Sequence, residues 1–138
     1  MPKEIEFTED MLIGVELIDD EHKELIKRVN EFIKKLSQEQ GVSKEDINNV
    51  FNFMEEYAQT HFRDEENLMN EHNCPILNFQ KVQHNFFLIE AKKLKFDLDQ
   101  KGLTEEVISK AQSLLVDWIV AHIKGIDKKI KGCVHKNL

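Results

Sequence analysis

The sequence predicts an all-α fold: an antiparallel four-helix bundle, up-down-up-down, preceded by an N-terminal arm. Three observations lead there. Apolar residues recur with alternating steps of four and three along four segments of roughly 20 residues, the period of a helix face. Short polar breaks at 37–44 (SQEQGVSK), 70–75 (NEHNCP) and 99–104 (DQKGLT) separate them, each with a Gly or Pro. No stretch shows the two-residue alternation of a strand. A 3.5-residue seam on helices joined by short loops is the pattern of coiled-coil-like bundle packing.

Each element follows in turn. The arm opens the chain as MPKEIEFTED, and the first seam is Ile18, His22, Leu25, Val29, Phe32 and Leu36. Ser43 with Asp46 three residues on resembles a capping box that starts the second helix. Its seam is Ile47, Phe51, Met54, Ala58, His61, Glu65 and Leu68. Pro75 precedes the third, whose seam is Leu77, Gln80, His84, Phe87, Ala91, Leu94 and Leu98. Thr104 before two Glu is a plausible N-cap for the fourth, with seam Ile108, Ala111, Leu115, Trp118 and His122. Lysines at its end (Lys124, Lys128, Lys129, Lys131, Lys136) are expected to offset the helix dipole from solvent.

Composition narrows the function classes. A chain of 138 residues, 41% of them hydrophobic, is expected to form one domain over 1–138. The 26 acidic against 19 basic residues give a net charge of −7, which disfavours a nucleic-acid partner because binding there rests on neutralising phosphates. Apolar runs fall far short of the ~20 residues of a membrane span. The N-terminus lacks a signal-peptide core, so a cytoplasmic location is expected. In that reducing compartment Cys74 and Cys133, far apart and in no CxxC, are expected to be free thiols. No fifth apolar stripe is evident along the chain, and a monomer is the expectation.

The seams carry six polar exceptions: His22, His61, Glu65, Gln80, His84 and His122. One unpartnered ionisable group in a core costs several kcal/mol or shifts its pKa, so six scattered ones would not be tolerated. Up-down-up-down topology gathers them, because the start of helix one, the end of two, the start of three and the end of four share one end of the bundle. His61–Glu65 and Gln80–His84 are i,i+4 pairs on one face. The alternatives are a hydrogen-bonded polar layer and a metal site, and the convergence favours metal. Imidazole-rich, thiolate-free donors suit Fe, Zn or Cu better than Mg or Ca. The surplus over the four ligands of one tetrahedral zinc favours two metals bridged by carboxylate. A second carboxylate is then wanted, and Asp127 is the candidate. Five residues after His122 lies about 140° off the seam of an ideal helix. Asp127 therefore reaches inward only if the helix deforms, which Gly125 would permit.

The strings IDDEHKEL (Ile18 to Leu25), HFRDEENLM (His61 to Met69) and DWIVAHIKGIDKK (Asp117 to Lys129) resemble the bacterial hemerythrins over nearly the whole chain. The resemblance implies a four-helix bundle that binds dioxygen at a non-haem di-iron centre. It implies one iron held by His22 and His61, and another by His84, His122 and a further histidine on helix three. Glu65 and Asp127 would bridge them together with an oxo or hydroxo group. Dioxygen would bind at the two-histidine iron, and Trp118 and Ile119 match positions at that pocket.

The pattern departs from the family at Gln80, where the fifth histidine should stand four residues before His84. His72 lies eight residues too early to replace it. The amide oxygen of Gln80 could coordinate weakly, water could fill the position, or that metal could be lost. Phe7 stands near a place where many relatives carry Trp, and is read as packing. The expected function is dioxygen storage, carriage or sensing, not catalysis. The alternative is a di-iron oxidase or peroxidase, or a scavenger of NO or peroxide, on the same scaffold; azide is a further small ligand to expect. Ferritin-like chemistry is disfavoured by the shortage of carboxylates. A phosphotransfer histidine would need exposure at mid-helix, whereas four histidines here face the core.

Overall fold

The computed structural model describes residues 2–135; Lys136, the last of the expected dipole-facing lysines, lies outside them. Four long helices follow a short 3₁₀ turn at Glu9–Met11: α1 (Glu16–Ser37), α2 (Lys44–Glu71), α3 (Leu77–Lys101) and α4 (105–135). No strand occurs among the described residues, and no helix is long and apolar enough to cross a membrane. The expected bundle is therefore observed, with helix breaks where the polar stretches lie.

Local chemistry explains the boundaries. At the start of α2 the Ser43 hydroxyl accepts the Asp46 N–H at 3.0 Å while the Asp46 carboxylate accepts the Ser43 N–H at 2.9 Å. Such a cap stabilises a helix start by about 1 kcal/mol. Thr104 Oγ1 accepts the Val107 N–H at 3.1 Å and starts α4. α1 has no side-chain cap; instead the buried Asp19 carboxylate turns back onto the arm and accepts the Ile13 and Gly14 N–H groups at 2.8 and 3.1 Å. The arm is held a second time where Asn30 exchanges hydrogen bonds with the Ile5 backbone. Lys95 on late α3 reaches Glu55 on early α2 at 3.2 Å, an ion pair that antiparallel neighbours allow.

The predicted seams face inward, with local slippage. Leu68, Leu77, Ile108 and Trp118 are half-buried, while their neighbours Met69, Val107 and Ile119 are buried. The interior has two apolar parts. The larger runs from Leu25 and Phe62 through Phe51, Met54, Leu94 and Leu115, and Phe7 packs on its edge as expected. The smaller comprises Ile13, Ile18, Met69, Cys74 and Ile130. The buried polar side chains lie between these two parts along every helix.

Three expectations are corrected. First, Cys74 and Cys133 are joined in a disulfide with Cα atoms 5.7 Å apart. Distance along the chain misled, because the α2–α3 connection and the last turns of α4 meet at one end of an antiparallel bundle. A bridge of this kind persists in oxidising surroundings, and the expected reducing compartment did not allow for it. It closes the smaller apolar part over the polar layer. Second, α4 does deform before Asp127, but not through glycine freedom. Residues Ile123–Asp127 form a π-helical turn, and Gly125 has no positive φ and open space where a Cβ would stand. Third, α3 carries a second apolar stripe, Phe79, Val82, Phe86, Ile89 and Phe96, on its outer face. The premise of the monomer expectation therefore does not hold.

Glycine is required at Gly14, whose φ is +82° and whose Cβ would stand 2.8 Å from His135 Nε2. That ring also hydrogen-bonds the Ile13 carbonyl oxygen at 3.0 Å, so the arm and the end of α4 close together.

The bridge generates a prediction. Denatured, unreduced protein should show no free thiol, and two after reduction. Cys133→Ser should lower unfolding free energy by about 2–4 kcal/mol, the usual range for cross-linking a long loop. Two reactive thiols before reduction would contradict the bridge.

Candidate metal centre

All seven residues predicted for the metal site meet in one layer and are buried: His22, His61, Glu65, Gln80, His84, His122 and Asp127. His22 comes from α1, His61 and Glu65 from α2, Gln80 and His84 from α3, and His122 and Asp127 from α4. The π turn brings the last into place. Spacing by five residues fits one π turn as spacing by four fits an α turn, and His122 Nε2 lies 3.2 Å from Asp127 Oδ1.

The two carboxylates are shared between two pairs of imidazoles. Glu65 Oε2 lies 3.0 Å from His22 Nε2 and 3.4 Å from His61 Nε2, and its Oε1 lies 3.1 Å from His84 Nε2. Asp127 Oδ2 lies 3.1 Å from His22 Nε2, while its Oδ1 faces His122. Two donor sets result, His22–His61–Glu65–Asp127 and His84–His122–Glu65–Asp127, each with one atom per residue within a mutual 4.8 Å.

Gln80 sits in the layer and its amide Nε2 donates to Asp127 Oδ1 at 2.6 Å and to Glu65 Oε1 at 3.5 Å. Its Oε1 has no partner. His84 Nε2, His122 Nε2 and Asp127 Oδ2 are also buried without a hydrogen bond, although they lie within 3.2 Å of a complementary group. Near approach without alignment leaves these atoms free for a further partner placed among them. Unpaired buried polar atoms cost about 1–3 kcal/mol each, and a borderline cation would satisfy them. The residues present fit a pair of such ions.

Two acidic residues that sequence reading did not single out complete the layer. Glu21 Oε1 lies 2.9 Å from His61 Nδ1, and Glu66 Oε2 lies 2.8 Å from His84 Nδ1. A carboxylate on Nδ1 holds the proton there, leaves Nε2 free to coordinate and fixes the ring plane. Their only signal in the sequence is adjacency: Glu21 precedes His22 and Glu66 follows Glu65. Aromatic rings brace the other faces, with Phe62 flat on His84 at 3.8 Å and Trp118 on His122 at 4.5 Å.

A cavity of about 10 Å³, room for one very small molecule, abuts His61, His122 and Asp127. Leu25, Met54, Phe62 and the two expected residues, Trp118 and Ile119, line it.

Charge is tightly coupled in the layer. Burial drives the His22 imidazole toward its neutral form, but the hydrogen bonds to Asp127 and Glu65 win and push its pKa up to about 9. Burial opposes the charge on His61 too, and the Glu65 carboxylate with Glu21 pushes it up to about 10. Burial would raise Glu65, yet His61, His22 and His84 hold it well below the usual carboxylate range. Burial and the Glu65 charge act likewise on Asp127, and His122 and His22 outweigh them.

The Hemerythrin HHE cation binding domain model matches residues 13–134. The chain belongs to the hemerythrin family. A myohemerythrin of Theromyzon tessulatum is 32% identical over 132 residues, covering 96% of this chain and 95% of its own. A myohemerythrin of Sipunculus nudus is 30% identical with the same coverage of both chains. A bacteriohemerythrin of Stenotrophomonas maltophilia (strain R551-3) is 28% identical over 133 residues, 94% of this chain and 81% of its own. Hemerythrins bind dioxygen at a di-iron centre and are oxygen-binding rather than catalytic proteins. The paired, carboxylate-linked donor sets agree with such a centre in this hemerythrin.

Two predictions follow from the geometry. Glu66→Ala frees the His84 ring and should weaken metal affinity by about 10–100-fold, read by competition with a chromophoric chelator; unchanged affinity would remove Glu66 from the site. Protein stripped of metal should lose stability as pH rises. A raised imidazole pKa stabilises fully below its unfolded value of 6.5 and ceases to do so as pH passes about 9 to about 10. Thermal unfolding of stripped protein should therefore show a lower midpoint near the upper value than at 6.5, and equal midpoints would mean that His22 and His61 hold no proton.

Proposed function

We propose that this hemerythrin is a non-haem di-iron protein that binds dioxygen for storage, carriage or sensing. In this reading His22 and His61 hold one iron, His84 and His122 hold the other, and Glu65 and Asp127 join the two. The observation that carries it is the sharing of both buried carboxylates between two imidazole pairs, with the inward nitrogens of His84 and His122 and the Asp127 Oδ2 left without hydrogen bonds. Bound iron supplies the redox-active, coordinating centre for dioxygen. The chain supplies everything around it. Glu21 and Glu66 keep protons on the outer nitrogens, so that the inner ones face the metal positions. Leu25, Phe62, Trp118 and Ile119 keep the ligand space small and apolar, which excludes larger molecules and controls solvent access to the centre.

Gln80 sets the terms of the second position. Its Nε2 is occupied with Asp127 and Glu65 while its Oε1, the atom that can coordinate, is unpaired; without that oxygen the His84–His122 side has the same number of protein donors as the His22–His61 side. That observation favours a second reading, in which both positions are open and azide, NO or peroxide also binds, or peroxide or oxygen is turned over. The two differ in a simple assay: carriage gives a reversible visible absorbance change on admitting air, and turnover gives continuous oxygen consumption with reductant.

Iron per chain after iron-replete expression tests the proposal. Two irons are expected if Gln80 or water completes the second position, and one or fewer if it does not. Gln80→His should then bring the count to two and prolong the air-induced absorbance. No iron in either protein would overturn the di-iron reading, and identical behaviour would show that position 80 does not tune the site.

A further inference from the structure

α3 is apolar on two faces. One turns Gln80, His84, Phe87, Ala91, Leu94 and Leu98 inward. The other presents Phe79, Val82, Phe86, Ile89 and Phe96 to solvent, each 46–64% exposed. Exposed apolar side chains that occur singly need no explanation. These five fall in one register with steps of three, four and three, and Lys93 stands at the place that continues it from Ile89 to Phe96. That spacing is a coiled-coil seam that no helix among the described residues covers, although Phe86 and Lys93 border a groove shared with Lys110 and Leu114 of α4.

We propose that this face pairs with the same face of a second copy of the chain, α3 against α3 and antiparallel, about a two-fold axis. The area is adequate. Aromatic side chains offer about 150–250 Å² each, so the exposed fractions amount to roughly 500 Å² of apolar surface per chain. Adding the polar flanks approaches the ~800 Å² per partner of a standard interface.

The orientation follows from Lys93. Phe79, Phe86 and Lys93 occupy one seam position of the heptad, and Val82, Ile89 and Phe96 the other. Parallel pairing would set Lys93 on the partner's Lys93 within an apolar seam, like charge on like. Antiparallel pairing sets the two kinds of position against each other. Phe79 then meets the partner's Phe96, and Phe86 meets the partner's Ile89. Val82 meets the aliphatic stem of the partner's Lys93, whose ammonium reaches water. The flanks agree: Gln83 faces the partner's Glu90, Asn85 the partner's Lys92, and Asn78 the partner's Asp99. No like-charged pair arises, and each charge meets a neutral amide. An isologous contact of this kind closes at two chains.

Sedimentation of the iron-loaded full chain over a concentration series tests the pairing. A two-chain mass that falls to one chain on dilution is expected. Phe86→Glu and Ile89→Lys should each give the one-chain mass at concentrations where the parent is paired, with helicity and iron content unchanged. Mixing the two variants in equal amounts should restore a two-chain species, because antiparallel pairing sets Glu at 86 against Lys at 89. A one-chain mass for the parent throughout would overturn the interface, and a mixture that stays single would overturn the antiparallel register.

Discussion

Two carboxylates shared among four imidazoles, all out of reach of water, are the constraint around which this bundle is arranged. Ionised Glu65 and Asp127 would each cost several kcal/mol in an apolar interior if left alone. They are tolerable only where positive or coordinating partners surround both oxygens, and one helix cannot provide that. The donors must come from all four, at a single level. Helix starts and ends, loop lengths and the inward register of each seam serve that convergence. The outer glutamates and the flat aromatic rings then hold the imidazoles at the angles that the inner positions require.

A polar layer of this size needs apolar material on both sides. The larger core supplies most of the stabilising burial and fills the bundle above the layer. Below it, Ile13, Ile18, Met69, Cys74 and Ile130 form a small lid that the four helices alone would leave frayed. The lid is secured covalently by the Cys74–Cys133 bridge and by the arm, whose Ile13 and Gly14 N–H groups bind Asp19. The close approach of His135 to Gly14 completes the closure. Arm and disulfide thus protect the layer on its short side, where helix ends would otherwise admit water.

Much of this was legible in the sequence because the relevant information is periodic. Seams of fours and threes reveal helix faces, and polar residues within a seam stand out against an apolar background. Topology then gathers His22, His61, Glu65, Gln80, His84 and His122 without any structure. What escaped lies off that period. Glu21 and Glu66 sit one residue beside seam positions, where acidic residues usually face solvent, and only the packing of neighbouring helices turns them toward His61 and His84. Asp127 stands off the seam and is reached only through the need for a second carboxylate or the family resemblance, because its π turn leaves no mark in composition; Gly125 lies in that turn without a positive φ. The disulfide was missed by weighing compartment and chain separation above the meeting of chain segments at one end. The outer stripe of α3 was missed because each helix was assigned one seam, and a helix apolar on two faces hides the second behind the first.

Gln80 is where local chemistry bears most directly on the proposed role. An imidazole at this place would be a fifth coordinating nitrogen and would make the α3–α4 side richer in donors than the α1–α2 side. The amide instead spends its N–H groups on the two carboxylates, 2.6 Å from Asp127 and 3.5 Å from Glu65. Its oxygen is left buried and unpaired. A neutral donor in that position keeps the bridging groups oriented and draws electron density from them, which weakens their hold on whatever they bridge. Without the Gln80 oxygen as a ligand, the two halves would be alike in protein donors, two imidazoles and two shared carboxylates each. Any preference of a small ligand for one half must then come from the walls rather than from coordination number. The cavity bounded by Trp118 and Ile119 reaches His61 of one half and His122 of the other, together with the shared Asp127, so it opens on both. The apolar lining therefore offers both halves one small space rather than selecting between them.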